Sequence, residues 1–242
     1  VPRHDHGLRR TAMTTLAFVG SPLWYASRAG GTLALLLLTA TVVLGVASGG
    51  RAAPRTIGRF EIALLHRNLS LLTLVFLVLH VVTAVLDPYV HLGWAVTVLP
   101  FTASYRPLWL GLGTVAFDLL LAVLVTSAMR LRIGARRWKA VHLLAYAAWP
   151  FALFHGAGTG TDTRLSLQLW LYAGCLASVV GAVWWRLAKA GPGRALGRLL
   201  AAVLAGAVPV ALTAFLAAGP LQPGWAHRAA ATATALGLGR DR

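Results

Sequence analysis

The sequence predicts an all-α integral membrane protein folded as a six-helix transmembrane bundle. Two compositional facts point there. Of the 242 residues 58% are hydrophobic and only 12% charged, and apolar runs of about 17 residues or more recur, each long enough to cross a bilayer as a helix. The third fact is where the charge sits. Lys and Arg number 22 against 6 Asp and Glu, a net charge of +16. These cations gather between the apolar runs rather than on a polar face interleaved with aromatics, which argues against a nucleic-acid-binding domain. The single cysteine, Cys175, lies inside an apolar run, so its expected role is packing, with no disulfide framework and no thiolate metal site.

The spans are expected at about 29–49, 59–87, 107–130, 138–157, 166–187 and 196–218, each matched to a hydrocarbon layer about 30 Å thick. Gly49–Gly50, Asp87–Pro88, the glycines between 156 and 160, and Gly191–Pro192–Gly193 separate them, because these residues break helices and favour turns. Residues 1–28 form an N-terminal tail, in which Thr11 to Tyr25 is apolar, broken by Pro22, and suited to the membrane interface. Residues 29–218 form the membrane domain and 219–242 a C-terminal tail. The sequence opens on Val1, so either an alternative start codon or residues missing upstream are expected, and no signal-peptide cleavage site stands out.

Loop charge sets an expected orientation in the cell membrane. The loops after spans one, three and five hold Arg51, Arg55 and Arg59; Arg130, Arg132, Arg136, Arg137 and Lys139; and Arg186, Lys189, Arg194 and Arg198, twelve cations in all, against Arg106 and Arg164 in the loops after spans two and four. The positive-inside rule places the twelve in the cytoplasm and both chain ends outside. Arg3, Arg9, Arg10 and Arg28 count against that placement.

Four histidines fall inside the predicted spans, in two pairs. His66 and His80 are 14 residues apart in span two, and His142 and His155 are 13 apart in span four. Both spans are even-numbered and run the same way, so His66 and His142 share one depth and His80 and His155 the other. At 1.5 Å per residue the two levels are about 20 Å apart. One intramembrane histidine commonly bonds a neighbouring helix; four at matching depths on co-directional helices suit axial ligation of two stacked macrocycles, each held by one imidazole from each helix as a bis-histidine b-type haem. Helical phase supports the first pair, since 14 residues return to within about 40° of the same face. It does not support the second, since 13 residues make about 3.6 turns. Pro150 lies between His142 and His155 and is the candidate for rewinding that span.

The 14 and 13 spacing on two co-directional spans resembles the ferric reductase-like transmembrane domain, shared by NADPH oxidases, ferric reductases and the haem-bearing membrane subunit of the periplasmic methionine sulfoxide reductase system. The likeness covers roughly residues 23–187. The stretch WYASRAGGTLALLL, residues 24–37, is similar to the family's helix that precedes the first histidine-bearing span, with an arginine by the outer haem. Arg28 takes that position, as a partner for haem propionates or a cation beside the electron exit; Arg67 and Arg59 are the corresponding candidates at the inner haem.

In the oxidases and ferric reductases a cytoplasmic flavin and nicotinamide module follows. Here about two dozen residues follow span six, so the resemblance implies a separate electron donor, a flavoprotein or quinol. The implied acceptor is a periplasmic or extracellular partner protein, ferric iron or oxygen. The competing reading is a non-redox transporter or scaffold whose histidines bind a metal or bond between helices.

Other residues have plainer expectations. Trp149, Phe151 and Phe76 lie between the two levels as packing. Asp118 is an intramembrane carboxylate, a functional candidate or a partner for Ser, Thr or a cation. HGAGTGTDT, residues 155–163, lacks the lysine and the strand of a phosphate loop and is expected as a small loop at the outer haem edge, with Tyr105 and Arg106 lining the same surface. His4, His6, His91 and His227 are expected at the surface.

Overall fold

A computed structural model describes residues 21–48, 58–88, 92–189 and 195–225 of the chain. His4, His6, His91, His227, Arg51, Arg55, most of Thr11 to Tyr25 and the Gly191–Pro192–Gly193 break lie outside them. Among the described residues the fold is all helical: α1 Pro22–Ser48, α2 Arg59–Leu86, α3 Pro107–Ala128, α4 Arg130–Ile133, α5 Ala135–His142, α6 Ala145–Thr159, α7 Ser166–Lys189 and α8 Ala195–Ala218. Short 3-10 turns at Trp94–Thr97 and Thr161–Arg164 complete the elements. Five helices, α1, α2, α3, α7 and α8, are long and apolar enough to cross a membrane.

α1 begins earlier than the composition indicates, because its start is capped. The Ser21 hydroxyl accepts the Trp24 N–H at 3.0 Å and Pro22 occupies the first helical position, where a missing N–H costs nothing. Pro22 therefore starts the helix, and Arg28 lies inside α1. Ser21 also donates to Asp87 at the end of α2, at 3.1 Å, which ties the two helix ends together. At the start of α2 the Glu61 carboxylate accepts the Gly58 N–H at 3.2 Å, satisfying one donor beside the helix end.

α1 is the central helix. Its Leu35, Leu38, Val42 and Val46 are buried with Trp149, Leu153 and Ala157 of α6, Tyr172, Cys175 and Val179 of α7, and Leu212 of α8. Positions 35, 38, 42 and 46 recur at helical spacing on one face. Cys175 is a buried core residue, 4% exposed. α2 packs chiefly on α1, and α6 on α3 and α1; the two histidine-bearing helices are held by third helices rather than by each other. The outer faces carry exposed Leu71, Val75, Val78 and Leu79 on α2 and Val203, Leu204 and Val210 on α8, surfaces suited to lipid. The chain is a multi-pass membrane protein.

The expected fourth span is two helices. α5 and α6 meet at Leu143–Leu144, where Leu144, Tyr146 and Ala147 donate three residues back, to Val141, Leu143 and Leu144, at 2.9, 3.1 and 3.0 Å. The cause is Pro150, which offers no N–H to the Tyr146 carbonyl and crowds it, so the preceding turn tightens. A residue in 3-10 register advances about 120° instead of 100°, so the tightened turn adds phase in the direction that brings His142 and His155 toward one face.

The stretch 155–163 also differs from expectation: α6 continues through Thr159 before the 3-10 turn. Gly156 and Gly158 are packing positions there. A Cβ on Gly158 would stand 2.3 Å from the Trp109 ring.

Ser21→Ala removes the α1 cap and the link to Asp87, and should lower stability by about 1 kcal/mol, read as an earlier thermal unfolding midpoint in detergent.

Candidate functional site

The two histidine pairs face each other. The His66 and His142 ring centroids are 6.1 Å apart at an interplanar angle of 63°, and those of His80 and His155 are 6.0 Å apart at 74°. The first pair lies at the basic end of the bundle, beside Arg130, Arg132, Arg136, Arg137 and Lys139 of α4 and α5. The second lies at the far end with Arg28 and Arg106. No hydrogen bond joins the rings within either pair among the described residues.

Three of the four rings are seated by a neighbouring helix. His80 Nδ1 donates to the Ser27 carbonyl at 2.7 Å, His66 Nδ1 to the Thr41 carbonyl at 3.1 Å, and His155 Nδ1 to the Trp109 carbonyl at 2.9 Å. Four residues after each of these carbonyls stands a glycine, Gly31, Gly45 and Gly113, and the ring rests on it. A Cβ would come within 2.9 Å of His80 Nδ1 at Gly31, 3.5 Å of His66 Cε1 at Gly45 and 2.4 Å of His155 Nδ1 at Gly113. The geometry explains the spacing. A helical Cβ leans toward the N-terminus and covers the carbonyl one turn back, so glycine uncovers that oxygen's second lone pair. The proton on Nδ1 leaves the Nε2 lone pair of each ring for a ligand.

His142 has no such seat. Its Nδ1 is buried without a hydrogen-bond partner. Fourteen residues after the Trp109 and Gly113 seat come Val123 and Ser127, with serine in the glycine position. The Ser127 hydroxyl accepts the Trp138 indole N–H at 3.2 Å, and the Trp138 ring lies 5.1 Å from that of His142. An indole thus packs against the one of the four rings that has no carbonyl partner.

A cavity of about 540 Å³ surrounds the far-end pair. Leu35, Leu38, Leu77 and Phe117 give it apolar walls, and Arg28, Tyr105, Arg106 and Thr163 polar ones. Arg28 Nε donates to Asp162 in an ion pair, and its guanidinium stacks 4.7 Å from the Trp24 ring. Arg106, expected to line the outer haem edge, lines this cavity and is buried at 3% exposure. Tyr105 sits beside it, 5.2 Å from guanidinium carbon to ring centroid. Arg67 is exposed, one residue and so about 100° around α2 from His66; Arg59 begins α2, and its side chain lies outside the described residues. Asp118 is not among the residues lining the cavity, although its neighbour Phe117 is. Trp149 is buried, and its indole donates to the Thr39 hydroxyl at 2.9 Å.

The pairs fit a metal centre of a particular kind. A metal about 2 Å from one nitrogen of each ring, with about 1 Å more to each ring centre, separates the centroids by roughly 6 Å. Among the described residues no group of three or more His, Cys, Asp or Glu is placed to hold a metal ion. Each pair therefore offers two nitrogens, and a metal held there has to bring its remaining ligands, as the iron of a haem does.

The family model described as ferric reductase like transmembrane component matches residues 30–153, just over half of the chain, from α1 into α6. The chain belongs to that family. The match takes in His66, His80 and His142 and stops two residues short of His155. The chain is also similar to the protein-methionine-sulfoxide reductase heme-binding subunit MsrQ of Ralstonia nicotianae, 28% identical over 193 residues, which are 78% of this chain and 81% of that one. No solved structure matches.

Sequence reasoning missed the glycine seats, Asp162 and Trp138. A signal for the seats was present: Gly31 and Gly45 are fourteen apart, as are His66 and His80. Asp162 carried no local pattern.

Gly113→Ala puts a methyl into the His155 ring and should cost about 1–3 kcal/mol, although alanine is the better helix former. A Cβ at Gly45 would stand 3.5 Å from the His66 ring, so Gly45→Ala should cost less than Gly113→Ala. Thermal unfolding of the two variants checks the contrast.

Proposed function

We propose that this chain carries electrons across the cell membrane through two non-covalent b-type haems, ligated by His66 with His142 and by His80 with His155. The observation that carries the reading is the 6.1 and 6.0 Å spacing of the two facing imidazole pairs, in a chain of the ferric reductase like family. Haem supplies a one-electron carrier when bound. The chain's own residues do the positioning. The Ser27, Thr41 and Trp109 carbonyls fix the tautomer and direction of three ligand rings, and such outer partners raise ligand basicity. Buried Leu35, Leu38 and Trp149 keep water from the space between the two levels. Arg28 at the far end, and Arg67 and Arg59 at the basic end, serve haem carboxylates.

In this reading α5 and α6 together make a sixth crossing, the basic end faces the cytoplasm by the positive-inside rule, and both chain ends lie outside. Electrons enter at the His66/His142 level from a separate flavoprotein or quinol and leave at the His80/His155 level. The Ralstonia nicotianae relative is named as the haem-binding subunit of a protein-methionine-sulfoxide reductase. That name favours a catalytic partner subunit of the same kind as acceptor, ahead of ferric iron or oxygen.

The test is a dithionite-reduced minus oxidised spectrum of the purified chain with haem quantified. Sharp α and Soret bands at about two haems per chain are expected. His80→Ala or His155→Ala should remove one haem and leave the other; a colourless folded chain from haem-replete cells overturns the reading.

Because His142 alone lacks a seat, the haem at the basic end should leave first. Under graded denaturant, bands lost from His80→Ala, which keeps only that haem, should fade at a lower concentration than those of His66→Ala.

A further inference from the structure

The geometry points to a carboxylate-binding site at Arg106, in the far-end mouth of the cavity. Arg106 ends the loop before α3 in a left-handed conformation, φ 45° and ψ 58°, which residues with a Cβ rarely adopt. The strained backbone turns the side chain inward, where it is 3% exposed and lines the cavity. Its Nη1 donates to the Gly158 carbonyl at 2.7 Å, three residues beyond His155. Its Nε is buried and has no partner.

A guanidinium so buried ordinarily has a carboxylate beside it, because an uncompensated charge out of water is costly. Among the described residues none stands within ion-pair distance of Arg106. Asp162 is engaged by Arg28, and Asp87, which also lines the cavity, accepts the Ser21 hydroxyl. The neighbours of Arg106 are a carbonyl, the Tyr105 ring and a second guanidinium: burial lowers its pKa, Tyr105 raises it and Arg28 lowers it. The cavity wall thus presents a buried guanidinium whose Nε–H has no partner and whose charge has no acid beside it among the described residues, a group that binds a carboxylate through paired hydrogen bonds.

The carboxylate has two possible sources, a propionate of a haem held by His80 and His155, or a free carboxylate from the outer medium. The first rests on the proposed function and the second does not. Wild type, Arg106→Gln and Arg106→Lys, each as the full chain in detergent, are compared by haem per chain after gel filtration and by thermal unfolding in sodium acetate against equal sodium chloride. A cofactor carboxylate predicts that Arg106→Gln loses one haem per chain, that Arg106→Lys retains part of it, and that acetate does not move the wild type. A free carboxylate predicts a saturable rise in the wild-type unfolding temperature with acetate, absent from Arg106→Gln, with haem content equal in all three.

Loss of the Gly158 bond alone lowers the unfolding temperature without changing haem content or the acetate response. If Arg106→Gln aggregates, both readouts are taken from Arg106→Lys, which keeps the charge but not the fork. Equal haem in wild type and variants, with no acetate effect on any, overturns the site. A colourless wild type refutes the haem reading yet leaves the acetate measurement intact, and no acetate effect there overturns the site as well.

Discussion

The structure depends on finding acceptors for the N–H groups of His66, His80 and His155 inside the membrane helices. A buried donor left unpaired costs about 1–3 kcal/mol, and every carbonyl inside a membrane helix is already used by its own ladder. The chain's solution is a second bond to a used carbonyl, at places where glycine removes the side chain that would cover it. Ser27 with Gly31, Thr41 with Gly45 and Trp109 with Gly113 are three instances of one device. Much of the architecture follows. α1 must lie against the whole length of α2 to seat both of its histidines, and α3 must lie against α6 to seat His155, which are the most extensive helix contacts in the fold.

Holding the two histidine-bearing helices on third helices also creates the gap between them. If α2 and α6 packed ridge into groove on one another, their axes would approach to about 8–10 Å with side chains interdigitated, and the imidazoles would be driven into contact. Instead the rings stand with centroids 6.0 and 6.1 Å apart. Close packing lies beside His155, where Leu153 and Ala157 are fully buried in the core with α1 and α7. Packed residues on one side of the far-end pair and a cavity on the other are what a preorganised binding site requires.

The helical class, five of the six expected membrane spans and the pairing of four histidines were legible from apolar run length and from the 14 and 13 spacing, since length and period act locally along the chain. Other features were not. The phase of His155 relative to His142 depends on where a proline stores its distortion: Pro150 was visible as a cause, but only the bond pattern at Leu144, Tyr146 and Ala147 shows overwinding rather than a bend. The start of α1 differs from the expected break at Pro22, because the Ser21 cap makes that proline a first-turn residue. Arg106 looked like a loop cation because loop position is read from neighbours in sequence. Its burial comes from a left-handed turn and a carbonyl 52 residues away.

The two ends of the bundle differ for reasons found in α3. Gly111 and Gly113 stand near the far end, where the Phe101 ring and the His155 ring press into the spaces they leave. Toward the basic end α3 reads LLLAVLVTSA, without a glycine, so no carbonyl on that face is uncovered and Trp138 packs against His142. His142 also closes α5 next to the tightened turn, with Leu143 beside it 61% exposed. Three consequences fall on one residue: no N–H acceptor, a helix end in place of a helix interior, and a neighbour open to the surroundings. The far-end histidines have carbonyl acceptors for their N–H groups and stand inside their helices, and charged side chains gather over them as well. The difference in how the two pairs are seated therefore lies in the composition of α3 and in the end of α5, rather than in the histidines.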